Sequence, residues 1–124
     1  MTNKMTERVT RSFESQSMMK TLRARIHKVL KGKVSIEVPL LPSMLQQQGY
    51  AHAGLTFSIG DSAAGYSALT LMPENQEVMT AEIKINLLAP ADGELLRAEG
   101  KVVKNGKRLV IVTSEIYALK DRNK

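Results

Sequence analysis

The chain has 124 residues, with 18 Lys and Arg against 12 Asp and Glu for a net charge of +6, and it contains no cysteine. That length suits one domain, residues 1–124, and the missing thiols exclude a disulfide framework, a thiolate nucleophile and Cys-ligated zinc. With only His27 and His52 as imidazoles, any metal site would depend on carboxylates, so no metal or cofactor is expected.

Residues 1–6 are polar and expected to fray, as is the tail at residues 120–124. The opening MTNKMTERVTRSFESQ lacks the apolar core of a signal peptide, which points to the cytoplasm. Over residues 7–21, Val9, Phe13, Met18 and Met19 fit an amphipathic helix, most simply a cover for a groove or edge. Leu22, Ala24 and Ile26 then alternate with Arg23, Arg25 and His27. Lys31-Gly32 supplies a turn, and Val34, Ile36 and Val38 alternate with Ser35 and Glu37. These runs predict a β-hairpin with His27 on its polar face. Pro39 and Pro42 end the second strand, and LPSMLQQQGY leads as a loop or short helical turn into a long helix.

After that helix, residues 69–72 are expected to begin a strand and Pro73-Glu74-Asn75 to turn the chain. Met79, Ala81, Ile83, Ile85 and Leu87 alternate with Thr80, Glu82, Lys84 and Asn86, the cleanest strand pattern in the sequence. Ala89-Pro90-Ala91-Asp92-Gly93 breaks it. Leu96, Ala98, Gly100 and Val102 follow with period two, Lys104-Asn105-Gly106-Lys107 contains an Asn-Gly hairpin turn, and residues 109–119 are apolar on both faces. The last of these is expected at the centre of the sheet. Helix, hairpin, long helix and three or four antiparallel strands describe an α+β domain.

The long helix is the most informative stretch, GYAHAGLTFSIGDSAAGYSALTL. Asp61 is the only formally charged residue between Glu37 and Glu74. A lone carboxylate there must be solvated, paired or useful, because burial without a partner disfavours its charged form. Leu55, Ile59 and Ala63 keep i, i+4 spacing, whereas Gly54, Gly60 and Gly65 each lower helicity by roughly 1 kcal/mol relative to Ala. Such a helix forms where tertiary packing holds it, and its many small residues let other backbones come close. Asp61 and the Gly/Ser content argue against a membrane span over residues 53–72.

The run QQQGYAHAGLTFSIGDSAAGYSAL, followed by VMTAEIKINLLAPADGELLRAEGKVVKNGKRL, resembles the PaaI-like acyl-CoA thioesterases, over roughly residues 18–119. That family carries Asn or Gln, then Gly three residues on, then His-Gly-Gly, then an Asp inside a central helix and a strand ending in a Pro-Ala pair. The resemblance implies a hot-dog fold, a curled antiparallel sheet around a central helix, and an acyl-CoA substrate. It also implies homo-oligomers, with sheets paired edge to edge in dimers that commonly associate as tetramers.

On this resemblance Asp61 activates water or attacks the thioester carbonyl itself, and the amides at Ala53 and Gly54 receive the oxyanion at the helix start. Here the chain departs from the family, with His52-Ala53-Gly54 in place of His-Gly-Gly. Alanine keeps the N–H but its methyl takes room. His52 either holds the helix entry or acts on substrate. Gln46, six residues before His52, stands where the family places an amide that donates to the carbonyl or holds water, and Thr80 matches a Ser/Thr that positions water. A solvated loop glutamine and an ordinary strand threonine explain the last two equally well.

The positive charge gathers at residues 20–33 and 101–124. Lys84, Asn86, Lys104, Lys107 and Arg108 are candidates for holding CoA and its phosphates, with solvated strand faces as the plain alternative. Phe13, Tyr50, Phe57, Tyr66 and Tyr117 do not interleave with the basic runs as base-stacking modules require, so nucleic acid is not the expected partner. Two other readings remain at this point: a non-catalytic acyl-CoA-binding protein, and a hot-dog hydratase acting on enoyl thioesters.

Overall fold

A computed structural model describes residues 3–120. Helix α1 (Lys4–Glu14) begins where Asn3 Oδ1 accepts from Thr6 N at 2.7 Å, so residues 4–6, expected to fray, lie in a capped first turn. The expected single helix over residues 7–21 breaks at Ser15, and a second helix, α2 (Ser17–Leu22), follows. Its end is Arg23 in the left-handed region, φ 59°, which is why the strand expected from Leu22 begins three residues later as β1 (Arg25–Leu30). The period-two alternation ran on across the helix end.

Strands β1, β2 (Lys33–Pro39), β3 (Leu95–Asn105) and β4 (Val110–Leu119) form an antiparallel sheet in the order β1-β2-β3-β4. A short 3-10 turn at Pro42–Met44 precedes the long helix α3 (Ala53–Leu69). Leu55, Ile59, Ala63 and Leu69 of α3 are buried with Val34, Ile36, Val38, Leu96 and Ala98 of the sheet. Helix α1 closes the other side with Val9 and Phe13. The Phe13 ring lies 6.2 Å from that of Tyr66, whose hydroxyl pairs with Ser12 Oγ and Gln16 Nε2.

The small residues of α3 act as the sequence suggested. Ser114 Oγ on β4 donates to Gly60 O at 2.7 Å, Ser67 Oγ accepts from Val34 N on β2 at 2.9 Å, and Thr70 Oγ1 accepts from Gly32 N at 2.7 Å. The helix therefore crosses the sheet diagonally, from β4 to the β1–β2 turn. It passes so close to β3 that a side chain at Gly100 would lie 2.6 Å from Ser67 Oγ and clash with the Ala63 carbonyl.

Four expectations are corrected. Residues 69–72 complete and cap α3 instead of starting a strand. Residues 76–88, including the strand expected around Met79 to Leu87, join no ladder among the described residues. Met79 and Leu88 are 91% and 93% exposed, so the apolar alternation in the sequence meets no partner strand among the described residues. Strand β4, expected at the sheet centre, is its last member, with Ile111 and Tyr117 about half exposed. The β3–β4 connection is a wider loop closed by Gly106 N donating to Leu109 O at 3.1 Å, in place of a two-residue Asn-Gly turn.

One charged residue on the expected polar face of β2 is buried. Glu37 accepts from Arg25 at 2.9 Å and Arg97 at 2.7 Å, with His27 Nδ1 at 3.3 Å. Burial pushes the carboxyl up, but the hydrogen bonds from Arg97 and Arg25 and the charges of His27 and Arg97 outweigh it and hold it below its ordinary value. A depressed carboxyl stabilises the fold fully above the unfolded value, near pH 4.3, and loses that contribution as pH falls through the folded one. Glu37→Gln replaces the buried carboxylate that meets Arg25, His27 and Arg97 with a neutral amide and costs about 3 kcal/mol at pH 7, about 10 °C in Tm. Thermal melts from pH 7 down to pH 3 check this, since the gap between variant and wild type narrows as pH falls.

No helix among the described residues is long and apolar enough to cross a membrane.

Candidate active site

The entry to α3 is a tightly bonded loop. Leu45 and Ala51 form an isolated antiparallel bridge, Gln46 N donates to Tyr50 O at 2.8 Å, and Ala51 N donates to Ala91 O at 2.9 Å. The Gln46 side chain serves this loop: Oε1 accepts from Gln48 N at 2.6 Å and Tyr50 N at 3.1 Å, while Nε2 donates to Gln48 Oε1. Its acceptor oxygen and one amide N–H are thereby occupied, and one amide N–H remains to meet a ligand.

His52 is the N-cap of α3, in extended backbone (φ −63°, ψ 137°), and its Nδ1 accepts from Gly54 N at 2.8 Å. A side chain on Gly54 would come 3.0 Å from that same Nδ1, so the glycine leaves room for the ring. His52, Ala53 and Gly54 are all exposed. Asp61 lies eight residues beyond Ala53, about 12 Å along the helix axis at 1.5 Å per residue.

Asp61 is half-buried. Its Oδ1 accepts from Thr80 Oγ1 at 2.7 Å, and Oδ2 has no partner among the described residues. The segment that carries Thr80 runs along the outer side of α3, and Val78 Cγ1 would lie 3.5 Å from a side chain at Gly65, one turn beyond Asp61. The structure thus brings Thr80 to Asp61, across 19 residues, but leaves His52 at the start of α3 and Gln46 in the loop before it, each bonded to other residues. Lys104 sits at the end of β3 with Lys107 and Arg108 in the following loop, whereas Lys84 and Asn86 lie on the unladdered segment. All five are exposed.

Two supporting residues were not anticipated. Arg8 of α1 donates to the carbonyls of Leu69, Met72, Pro73 and Gln76, closing the C-terminus of α3 and holding the start of the segment that leads to Thr80. Nothing distinguishes this arginine in the sequence. Ser114 holds the helix at Gly60, directly before Asp61. Its signal was a lone hydroxyl on the inward face of β4, between Val112 and Ile116. Among the described residues no three metal-ligating side chains cluster.

Known proteins agree with this architecture. A thioesterase family protein from Silicibacter pomeroyi is 41% identical, with a TM-score of 0.90 over 92% of this chain and 84% of that one. The PaaI protein from the phenylacetic acid degradation operon of Escherichia coli superposes with a TM-score of 0.82 at 21% identity, over 90% of this chain and 80% of its own. A Bacillus halodurans protein whose structure contains CoA gives a TM-score of 0.77 at 21% identity, over 94% and 85%. The sequence pattern of the Thioesterase superfamily matches residues 48–124, from the loop before α3 onward. With its central helix laid across one antiparallel sheet in the hot-dog manner, the chain belongs to that superfamily.

Proposed function

We propose that the protein is an acyl-CoA thioesterase, hydrolysing a CoA thioester to the free acid and CoA. The observation that carries this is the Thr80 hydroxyl on Asp61 Oδ1, which holds the sole carboxylate of the central helix with its second oxygen available. Asp61 takes a proton from water as that water adds to the carbonyl, or adds to the carbonyl itself. The resulting oxyanion is received by the Ala53 N–H at a helix N-terminus. The C–S bond then breaks and CoA leaves as its thiolate. On the water route it takes the proton that Asp61 removed. On the direct route it takes a proton from solvent and leaves an acyl-Asp61 anhydride, which water hydrolyses to the free acid and the Asp61 carboxylate. The CoA bound by the Bacillus halodurans relative supports this ligand class, and Lys84, Asn86, Lys104, Lys107 and Arg108 are our candidates for its polar groups.

The geometry also favours a homo-oligomer. A reacting carbonyl must sit about 3 Å from both its attacker and its oxyanion donor, yet Asp61 and Ala53 of one chain are about 12 Å apart along α3. The Ala53 amide that serves Asp61 therefore comes from a second copy. Both the unladdered segment at residues 76–88 and the free edge of β4 are the kind of surface that pairs with another strand, in keeping with a dimer that associates further into a tetramer.

Release of CoA thiol from a panel of aryl- and aliphatic-acyl-CoAs tests the reading, and hydrolysis is expected. Ala53, in the position of a family glycine, favours the alternative of a non-catalytic acyl-CoA-binding protein; tight binding with no thiol release from any substrate would establish that instead. Within the same assay Thr80→Val lowers kcat about tenfold through loss of one charge-assisted hydrogen bond, and Thr80→Ser stays within about threefold of wild type.

A further inference from the structure

The N–H groups at the start of α3 are not equivalent. A helix start leaves four of them without intrahelical partners, and three are accounted for here: His52 N donates to Met44 O at 3.0 Å, Leu55 N to His52 O at 3.0 Å, and Gly54 N to His52 Nδ1 at 2.8 Å. The fourth, Ala53 N–H, has no partner among the described residues. A backbone amide can only donate, so the imidazole nitrogen that meets Gly54 must be the acceptor. The neutral ring then carries its proton on Nε2.

From this we infer that His52 is a positioning residue with a locked tautomer. Its Nδ1 withdraws the Gly54 amide from use, leaving Ala53 N–H as the single open donor at the helix entry, and its own lone pair is no longer free to take a proton from substrate or water. Gly54 accordingly serves the imidazole and not the oxyanion. The inference rests on the thioesterase reading for its meaning in catalysis, but the bond itself does not.

The test has two arms. In the full chain, long-range ¹H–¹⁵N correlation at a pH where imidazole is neutral reports the tautomer of each ring, and the His27→Gln variant assigns the two signals. His52 is expected with Nδ1 unprotonated and Nε2 protonated. Gly54→Ala, which keeps an amide but places a carbon 3.0 Å from Nδ1 and 3.3 Å from Cε1, is expected to abolish that signature. A proton on Nδ1, or an even mixture of tautomers, overturns the inference. In the thioesterase assay His52→Ala lowers kcat about tenfold, and His52→Asn, whose side chain also caps helices, recovers it to within about threefold. No recovery by Asn means the imidazole performs chemistry of its own and sinks the positioning role. If no thioester is hydrolysed, the functional reading fails while the tautomer measurement still decides the cap.

Discussion

Asp61→Asn lowers kcat for CoA-thioester hydrolysis about 10³-fold, within the range expected when a general base is removed, and leaves KM within about threefold. The amide has the shape of the carboxylate, and its carbonyl can still accept from Thr80 Oγ1, the bond that measures 2.7 Å in the native protein. What it cannot do is take a proton or form an acyl intermediate. Asp61 is half-buried, and no salt bridge to it is present among the described residues, so Tm shifts by no more than a few degrees. Steady-state thiol release beside a thermal melt makes the comparison. Full activity in a folded variant would remove Asp61 from the mechanism.

The central helix was the most legible element, because its features are ones that few folds tolerate together. Three glycines, a run of small residues and one carboxylate make a poor helix unless a sheet presses on it, and the contacts at Gly60, Ser67 and Gly100 are that pressure. Strands β2 and β3 were readable from their period-two apolar residues, although only β3 has an exposed second face, at residues 99 and 101, whereas Ser35 and Glu37 of β2 are buried as well. Strand β4 was misplaced for a physical reason. Apolar residues on both faces signal water exclusion on both sides, and sequence does not say whether the chain's own sheet or a second copy does the covering. The segment carrying Thr80 has the same ambiguity: its alternation predicts a strand, but a ladder needs an edge to pair with.

At the site, residue types were legible and hydrogen bonds were not. Asp61 stood out by isolation and His52 by its place at the helix entry. That Thr80 would meet Asp61 across 19 residues followed only from the family resemblance, and as a contact to water instead of to the acid. For Gln46 the sequence left a substrate-facing amide and a loop glutamine equally open, and its side-chain oxygen accepts from its own loop, at Gln48 N and Tyr50 N. Glu37 shows a different limit of the sequence. A charged residue at an outward position of a strand reads as solvated, and only the flanking Arg25 and Arg97 turn that position into a buried ion cluster.

Ala53→Pro removes the proposed oxyanion donor without removing the helix, and it lowers kcat about 10²- to 10³-fold, the loss typical of deleting one such donor. Proline is favoured at the first position of a helix, where its missing N–H would have no intrahelical partner. The residue before it must be extended, and His52 already is, at φ −63° and ψ 137°. The substitution therefore leaves the backbone path, the His52 cap on Gly54 and the Asp61–Thr80 bond in place, and takes away one hydrogen atom where charge develops. Ala53→Gly is the companion variant: it keeps the N–H, withdraws the methyl and restores the glycine that the family carries, so its kcat does not fall and its range of acyl groups widens. Thiol-release kinetics on both variants, with circular dichroism to verify that α3 persists, separate the donor from the space around it. A proline variant as active as wild type would show that the oxyanion is received elsewhere.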